Sequence, residues 1–506
     1  MPATAPAPDG VISPPTTDGR RRRVPRRVLV GVGAGLVVYL GAAVLALVSL
    51  PWEGTGDSYF HLDYAYQLWH GSVPDPRGPV LDSPVHPDYS SEARQYASAH
   101  PPLLYLLAAP AVGVLWDSGH WAMAIFVMRA LVLAFGVGTY LVLAHAGWTL
   151  GGRYRETAAV ALPLLATTTT VFVRFSSEVY NDVPVTFFSV AAVVLTLRAL
   201  QDGVTARRAL LMGAVVAGGA ATKSTFLLTA AVAGTFFVAA TLWHTGPGRS
   251  RLRAVAAAVW PSVVLPALTI GWFYLHNALL SGNPVRSTPK IPVEGRSPRT
   301  LSDNLTNPEF WLIYPKGFFG SIPWRDLDSV NRIASLALVA VAAAAVALWL
   351  VRHRPWQRLV PGAMALAPAF LLLHLAAFQV AQLYHAVGYG AYNWRYFLPT
   401  TLQAGLLLLA GCLATGRVGR AAVVAVSGIL WIAAAINSFW WVGRNYPDLL
   451  GGATGPAVLP AAADANGFPA WSPLVCTVAA AVALVGTAVV LRRTDRTRDV
   501  AEQTTP

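Results

Sequence analysis

Six arginines, Arg20 to Arg23 with Arg26 and Arg27, lead into Val28–Leu50, 23 residues without a single charge. At about 1.5 Å per residue a helix of this length reaches roughly 34 Å, enough to cross a bilayer. A secretory signal also has a basic start, but this run is too long for one and has no small-residue cleavage site before Pro51-Trp52. The run therefore reads as a first membrane span, with the arginines holding its N-terminus in the cytoplasm.

The pattern recurs. Hydrophobic residues make up 55 % of the 506-residue chain and charged residues 12 %, against roughly 25 % charged in soluble domains. Mean hydropathy is +0.50. Soluble, disordered and fibrous classes are excluded together. Further spans are expected near 121–150, 157–173, 183–200, 208–222, 224–243, 255–276, 331–351, 359–381, 396–415, 421–441 and 474–491. With the first they make about twelve, so the fold class is an all-α polytopic membrane protein. Residues 1–27 read as a disordered basic cytoplasmic tail, 28–491 as one transmembrane domain and 492–506 as a second cytoplasmic tail. The two cysteines, Cys412 and Cys476, lie inside apolar runs and imply no disulfide framework.

One stretch decides the topology. Pro102–Trp116 is apolar but short, and Pro110 interrupts it. If it lies along the outer interface as a juxtamembrane helix, 23 of the 37 basic residues fall on the cytoplasmic side. If it crosses, every arginine cluster after the first faces outward, against the positive-inside rule. The interfacial placement is therefore expected, with both termini cytoplasmic. The net charge of +13 then reflects orientation and anionic membrane lipid rather than nucleic acid.

In this topology 17 of the 24 acidic residues lie outside or at the outer membrane edge. The outer loops are 52–120, 277–330 and 442–473, and long ordered loops on a rigid scaffold commonly carry function. Asp57 and His61 follow span one and, four apart, share a face if helical. A carboxylate at the lip of a membrane cavity is partly desolvated, which suits it to base catalysis. Asp63 is an alternative base. Helix capping by Asp57 is the plainer reading of the same residue. His100 stands in His100-Pro101-Pro102, where the prolines set an extended approach and then a helix start. Arg174, Glu178 and Asp182 crowd the short turn before span four, where Asn181 or Asp182 would serve as an ordinary cap. Lys223, in the hairpin of spans five and six, and Arg395, opening span ten, stand apart from the cytoplasmic clusters. Membrane-edge cations are costly and call for an anion such as a lipid phosphate, although snorkelling to headgroups would also accommodate Arg395. Arg129, inside span two, needs a partner as well.

Taken in order, these pieces resemble the GT-C membrane glycosyltransferases, the superfamily of the protein O-mannosyltransferases and the lipid A aminoarabinose transferase. The resemblance covers most of 28–415. It rests on Asp57-Ser58-Tyr59-Phe60-His61 after span one, on His100-Pro101-Pro102-Leu103-Leu104-Tyr105, on Asn181-Asp182 before span four, and on Arg395-Tyr396-Phe397-Leu398-Pro399. Relatives often carry a second acid where this chain has Ser58, an arrangement suited to a divalent metal. No cofactor beyond such an ion is implied.

The resemblance implies a transferase that moves a hexosyl or pentosyl group from a polyprenyl-phosphate donor to a glycan, lipid or protein acceptor, with inversion. Nucleotide sugars are cytoplasmic, so an outward-facing site in the plasma membrane would need a lipid-carried sugar. Asp57, with His61 and Asp63, is expected at the chemistry. Lys223, Arg395 and Arg174 are expected at the donor phosphate, and His100, Glu178 and Asp182 at the acceptor. Two rivals are a polytopic transporter or lipid flippase, and a ligase or polymerase of whole lipid-linked glycans. Transporters gather ionisable residues near mid-membrane on repeated, broken helices; here the acids gather at one rim.

Overall fold

In a computed structural model of the chain, the residues described are 23–51, 58–75, 78–80, 95–246, 250–285, 297–319, scattered positions from 340 to 351, 362–390 and 392–503. The helices are α1 (Arg26–Ser49), α2 (Ser58–Trp69), α3 (Leu103–Asp117), α4 (Trp121–Leu150), α5 (Arg155–Thr167), α6 (Thr170–Ser176), α7 (Asp182–Asp202), α8 (Ala206–Ala220) and α9 (Phe226–His244). They continue with α10 (Arg251–Thr269), α11 (Gly271–Ser281), α12 (Leu301–Thr306), α13 (Pro308–Phe319), α14 (Ala367–Tyr389), α15 (Thr401–Ala414), α16 (Gly419–Asn445), α17 (Val458–Ala465) and α18 (Ser472–Gln503). The chain is a multi-pass, all-α membrane protein.

Among the described residues nine helices are long and apolar enough to cross a bilayer, or ten if one bent pair counts as a span. Three of the twelve expected spans account for the difference. The span expected at 331–351 lies largely outside the described residues. That expected at 208–222 is α8, whose 15 residues reach only about 22 Å. That expected at 157–173 is broken into α5 and α6, bent by 74°. The break has a local chemical cause. Pro163 lacks an amide hydrogen, and a run of threonines turns back on the backbone. Thr167 Oγ1 donates to the Pro163 carbonyl (2.8 Å), Thr168 Oγ1 to Leu164 (2.7 Å) and Thr169 Oγ1 to Ala166 (3.2 Å). These hydroxyls satisfy carbonyls that a bend would leave bare in an apolar setting.

The expected loop 52–120 contains two ordered helices. α3 is the juxtamembrane stretch. Its 15 residues bury Leu104, Tyr105, Ala108 and Val112 and expose Leu106, Leu107 and Val114. α2 lies against it. Trp69 occupies the space a Cβ on Gly113 would fill, and the Tyr66 hydroxyl and Trp69 Nε1 both donate to Asp117 (2.8 and 2.9 Å). Loop 442–473 is likewise structured, by α17.

The bundle has two chemically distinct ends. At one, Arg27 pairs with Glu156 (3.1 Å), and Arg198 and Arg208 share Asp202 (2.6 and 3.0 Å). At the other lie α2, α3, the start of α7 and the α8–α9 turn. Here the intramembrane Arg129, 3 % exposed, finds its partners. Its guanidinium donates to the carbonyls of Leu50 (3.0 Å) and Pro51 (2.5 Å), the acceptors left over where α1 ends. Asn466, just past α17, donates to Val48 and Leu50 (3.0 and 3.1 Å). A cation at a helix C-terminus also meets the favourable end of its dipole. α4 and the residue following α17 thus jointly fix the exit of α1.

Arg129→Met should leave these carbonyls short of donors in a dry site, at a cost of about 1–3 kcal/mol, with Arg129→Lys recovering part of it. Thermal unfolding in micelles measures this; equal melting of Arg129→Met and the parent would contradict the capping role.

Candidate functional site

Three of the expected residues meet at the second end of the bundle. Lys223 Nζ lies 2.6 Å from Asp182 Oδ1, and Arg395 Nε lies 3.7 Å from Asp182 Oδ2. Asp182 and Lys223 are each 3 % exposed. Asp182 is the first residue of α7, yet neither it nor Asn181 caps that helix through its side chain; the capping expectation for this turn is corrected. The carboxylate is instead turned to the two cations, near the positive end of the α7 dipole.

Each cation is held by backbone contacts. Lys223 sits in the Ala221–Thr225 turn, and the three successive carbonyls from the last residue of α8 into that turn are engaged by three different elements. The Tyr274 hydroxyl donates to Ala220 (2.8 Å), the Leu103 amide at the head of α3 to Ala221 (2.8 Å), and the Asn181 amide to Thr222 (3.4 Å). Arg395 lies in the tight turn Trp394–Thr400 that leads into α15. Gln382 of α14, fully buried, grips that turn by both ends of its amide. It accepts from the Asn393 amide (3.1 Å) and donates to the Asn393 carbonyl. Aromatic faces back both charges, with Lys223 Nζ 5.2 Å from the centre of Tyr396 and the Arg395 guanidinium 4.6 Å from that of Tyr180.

Tyr180 links the ion cluster to α2 and α3. Its ring meets His61 edge-on at 5.3 Å, and His61 lies parallel to His100 at 5.9 Å. The Tyr105 hydroxyl and His61 Nδ1 share a hydrogen bond of 2.6 Å. Burial, with the Tyr64 phenol and the Asp182 charge, pushes the Tyr105 phenol well up, while Asn181 bonds to it. The phenol therefore stays protonated and holds the imidazole ring in place through this bond. His100 is pushed well down, first by burial and then by the charges of Lys223, His61 and Arg395. Asp63 is buried on α2 and accepts from Gln67 (2.8 Å) and Gln95. Gln95 also donates to the Phe60 carbonyl (2.8 Å). This carboxylate ties the segment before His100 onto α2.

Arg174 and Glu178 form their own pair at 2.8 Å, and the Arg174 guanidinium lies 3.9 Å from the centre of Trp441. They are set beside the ion cluster through Phe175, over which the Arg395 guanidinium sits at 5.8 Å. Asp57 directly precedes α2 in sequence and lies outside the described residues, whereas Ser58, where relatives often carry a second acid, is the buried first residue of α2. Among the described residues no three His, Cys, Asp or Glu side chains converge as metal ligands would. Tyr105, Asn181, Tyr180 and Gln382 escaped the sequence reading as site residues. The first two stand inside the motifs quoted there; Gln382, in the middle of an apolar run, carries no local signal.

No protein-family model matches the chain, and no curated protein matches it in sequence. Solved structures resemble it in backbone arrangement. ArnT from Cupriavidus metallidurans bound to undecaprenyl phosphate is 15 % identical, with a TM-score of 0.45 over 92 % of this chain and 78 % of that one. Archaeal oligosaccharyltransferase AglB from Archaeoglobus fulgidus, in complex with an inhibitory peptide and a dolichol-phosphate, is 13 % identical, with a TM-score of 0.42 over 88 % of this chain and 56 % of that one. Arabinosyltransferase EmbB from Mycobacterium smegmatis is 14 % identical, with a TM-score of 0.44 over 95 % of this chain and 43 % of that one. All three are GT-C glycosyltransferases. The likeness is in the arrangement of helices and says nothing of which substrates this chain takes.

The His100 environment has a consequence for pH. Its folded value lies below the ordinary 6.5, so the unfolded chain takes up the proton first. Stability is full above that ordinary value and falls as the pH drops below it. Thermal unfolding against pH should show this loss, and His100→Asn should flatten it. Parallel losses in both proteins would contradict the assignment.

Proposed function

We propose that the chain is a membrane glycosyltransferase that moves a sugar from a polyprenyl-phosphate donor to a hydroxyl acceptor on the extracytoplasmic face. The observation that carries this reading is the convergence of Lys223 and Arg395, from two separate turns, on the buried carboxylate of Asp182. Two cations held together at a membrane edge make a seat for an anion. Lysine supplies a point charge and arginine a fork suited to phosphate oxygens. The arginine-rich opposite end supports a cytoplasmic placement of that end, and so an outward-facing site with both termini inside.

In the reaction, Asp57 takes the proton from the acceptor hydroxyl. The oxygen attacks the anomeric carbon, the bond from that carbon to the phosphate oxygen breaks, and polyprenyl phosphate leaves. Lys223 and Arg395 stabilise the charge that grows on the leaving phosphate. Asp182 keeps the two cations aimed at one point, and His61, hydrogen-bonded to Tyr105, follows four residues after Asp57 in the sequence. Inversion at the anomeric centre follows from a single displacement, as the family resemblance implies. Asp63 is a framing residue here, since its carboxylate holds Gln67 and Gln95.

Transfer of labelled sugar from polyprenyl phosphate, measured in membranes, tests the roles. Asp57→Asn keeps the shape of the side chain and loses the base, so transfer should fall by about 10²–10⁴. Lys223→Met and Arg395→Met should each weaken donor use. Near-normal transfer by Asp57→Asn with loss in Asp63→Asn would move the base but keep the reaction. No sugar ever leaving the lipid would replace the reading with a transporter.

Sidedness has its own test, in a background lacking Cys412 and Cys476. A cysteine at exposed Ser72 should label from outside intact cells, and one at exposed Gln201 should not. The reverse pattern would overturn the orientation.

A further inference from the structure

Behind the ion cluster lies a second polar layer that the reaction does not use. Fully buried His374 of α14 sits in a run of three hydrogen bonds. The Gln403 amide of α15 donates to His374 Nδ1 (2.7 Å), His374 Nε2 donates to the Thr229 hydroxyl of α9 (2.9 Å), and Thr229 donates to Ser189 Oγ of α7 (3.2 Å). Only a neutral imidazole protonated at Nε2 fits this order. Phe378 packs edge-on against the ring at 5.2 Å.

The four helices so joined are the four that carry the ion cluster and its clamp. Ser189 lies seven residues beyond Asp182, Thr229 six beyond Lys223, Gln403 eight beyond Arg395, and His374 eight before Gln382. The layer therefore crosses the bundle about two helical turns, roughly 10–12 Å, beneath the cluster. We infer that His374 is a positioning residue whose hydrogen bonds lock the axial register of α7, α9, α14 and α15, and through it the spacing of Asp182, Lys223 and Arg395. The functional weight of this lock rests on the donor reading above; the geometry of the layer does not.

Stability alone does not account for the layer. Polar bonds between membrane helices contribute modestly, and apolar side chains of similar shape replace such a group at little cost when all partners change together. What apolar packing lacks is a fixed register. A hydrogen bond is lost once its partners slide past one another by about 2 Å, which both lengthens and bends it, whereas smooth apolar helices tolerate such a slip. A satisfied buried network accordingly specifies one arrangement.

Hydrogen exchange on the full chain in nanodiscs tests the lock without reference to activity. His374→Leu should speed exchange about tenfold at 222–226 and 393–401, two turns away, and leave α1 and α4 unchanged. His374→Gln, which can still accept from Gln403 and donate to Thr229, should restore protection. Faster exchange confined to 370–378, or no rescue by His374→Gln, would overturn the proposal. Should His374→Leu not fold, Thr229→Val cuts the same run from α9 and carries the same expectation. Retention of undecaprenyl phosphate by the same samples is read by native mass spectrometry. His374→Leu should bind it more than tenfold more weakly than the parent; equal retention would overturn the positioning role. A parent protein that retains none overturns the donor reading, and exchange then decides the register lock by itself.

Discussion

A charge at the edge of a bilayer persists only where an opposite charge is held beside it, and Asp182 meets that condition for two cations at once. The carboxylate is buried and stands at the first residue of α7. It has a lysine on one oxygen and an arginine beyond the other. Breaking a buried pair by removing one partner is expensive, about 3–5 kcal/mol, because the survivor is left uncompensated. The architecture around this carboxylate is built to prevent that. The turn bearing Lys223 is tied down at three carbonyls, and the turn bearing Arg395 is gripped by Gln382.

The same economy governs the rest of the membrane interior, where an unmet backbone group costs several kcal/mol. The Thr167–Thr169 run supplies hydroxyls at the α5–α6 bend. That bend lets α6 and the following turn carry Phe175 and Tyr180 toward Asp182 at the head of α7. Arg129 and Asn466 do the corresponding work where α1 ends. This exit leads directly into the segment that bears Asp57. The arrangement of this end of the molecule therefore depends on polar groups that bond to the backbone.

Much of this was legible in the chain itself. Apolar length located α1, α4, α7, α9, α16 and α18 to within a few residues up to their membrane ends, because a span has no alternative to pairing its own backbone. Lys223 and Arg395 stood out as cations away from the arginine clusters, and they do share a partner. Other features were silent for physical reasons. Hydropathy cannot register the 74° bend, since a threonine that bonds backward scores like one facing solvent. His374 acts through contacts with helices remote in sequence and Gln382 through the backbone of Asn393 eleven residues on, and neither sits in a motif. The capping expectation failed because a local preference lost to tertiary partners, the two cations for Asp182 and the Thr222 carbonyl for Asn181. Arg174, expected at the phosphate, has a local partner four residues on in Glu178.

The central claim is that the Lys223–Asp182–Arg395 cluster seats a lipid phosphate. A cryo-electron microscopy structure of the protein in nanodiscs doped with polyprenyl phosphate tests it most directly. The account predicts headgroup density within hydrogen-bonding reach of both Lys223 Nζ and the Arg395 guanidinium, with the lipid chain running into the bilayer from that point. Density for the phosphate among the arginines at the opposite end, beside Arg207 and Arg251, with the Asp182 cluster empty, would contradict it.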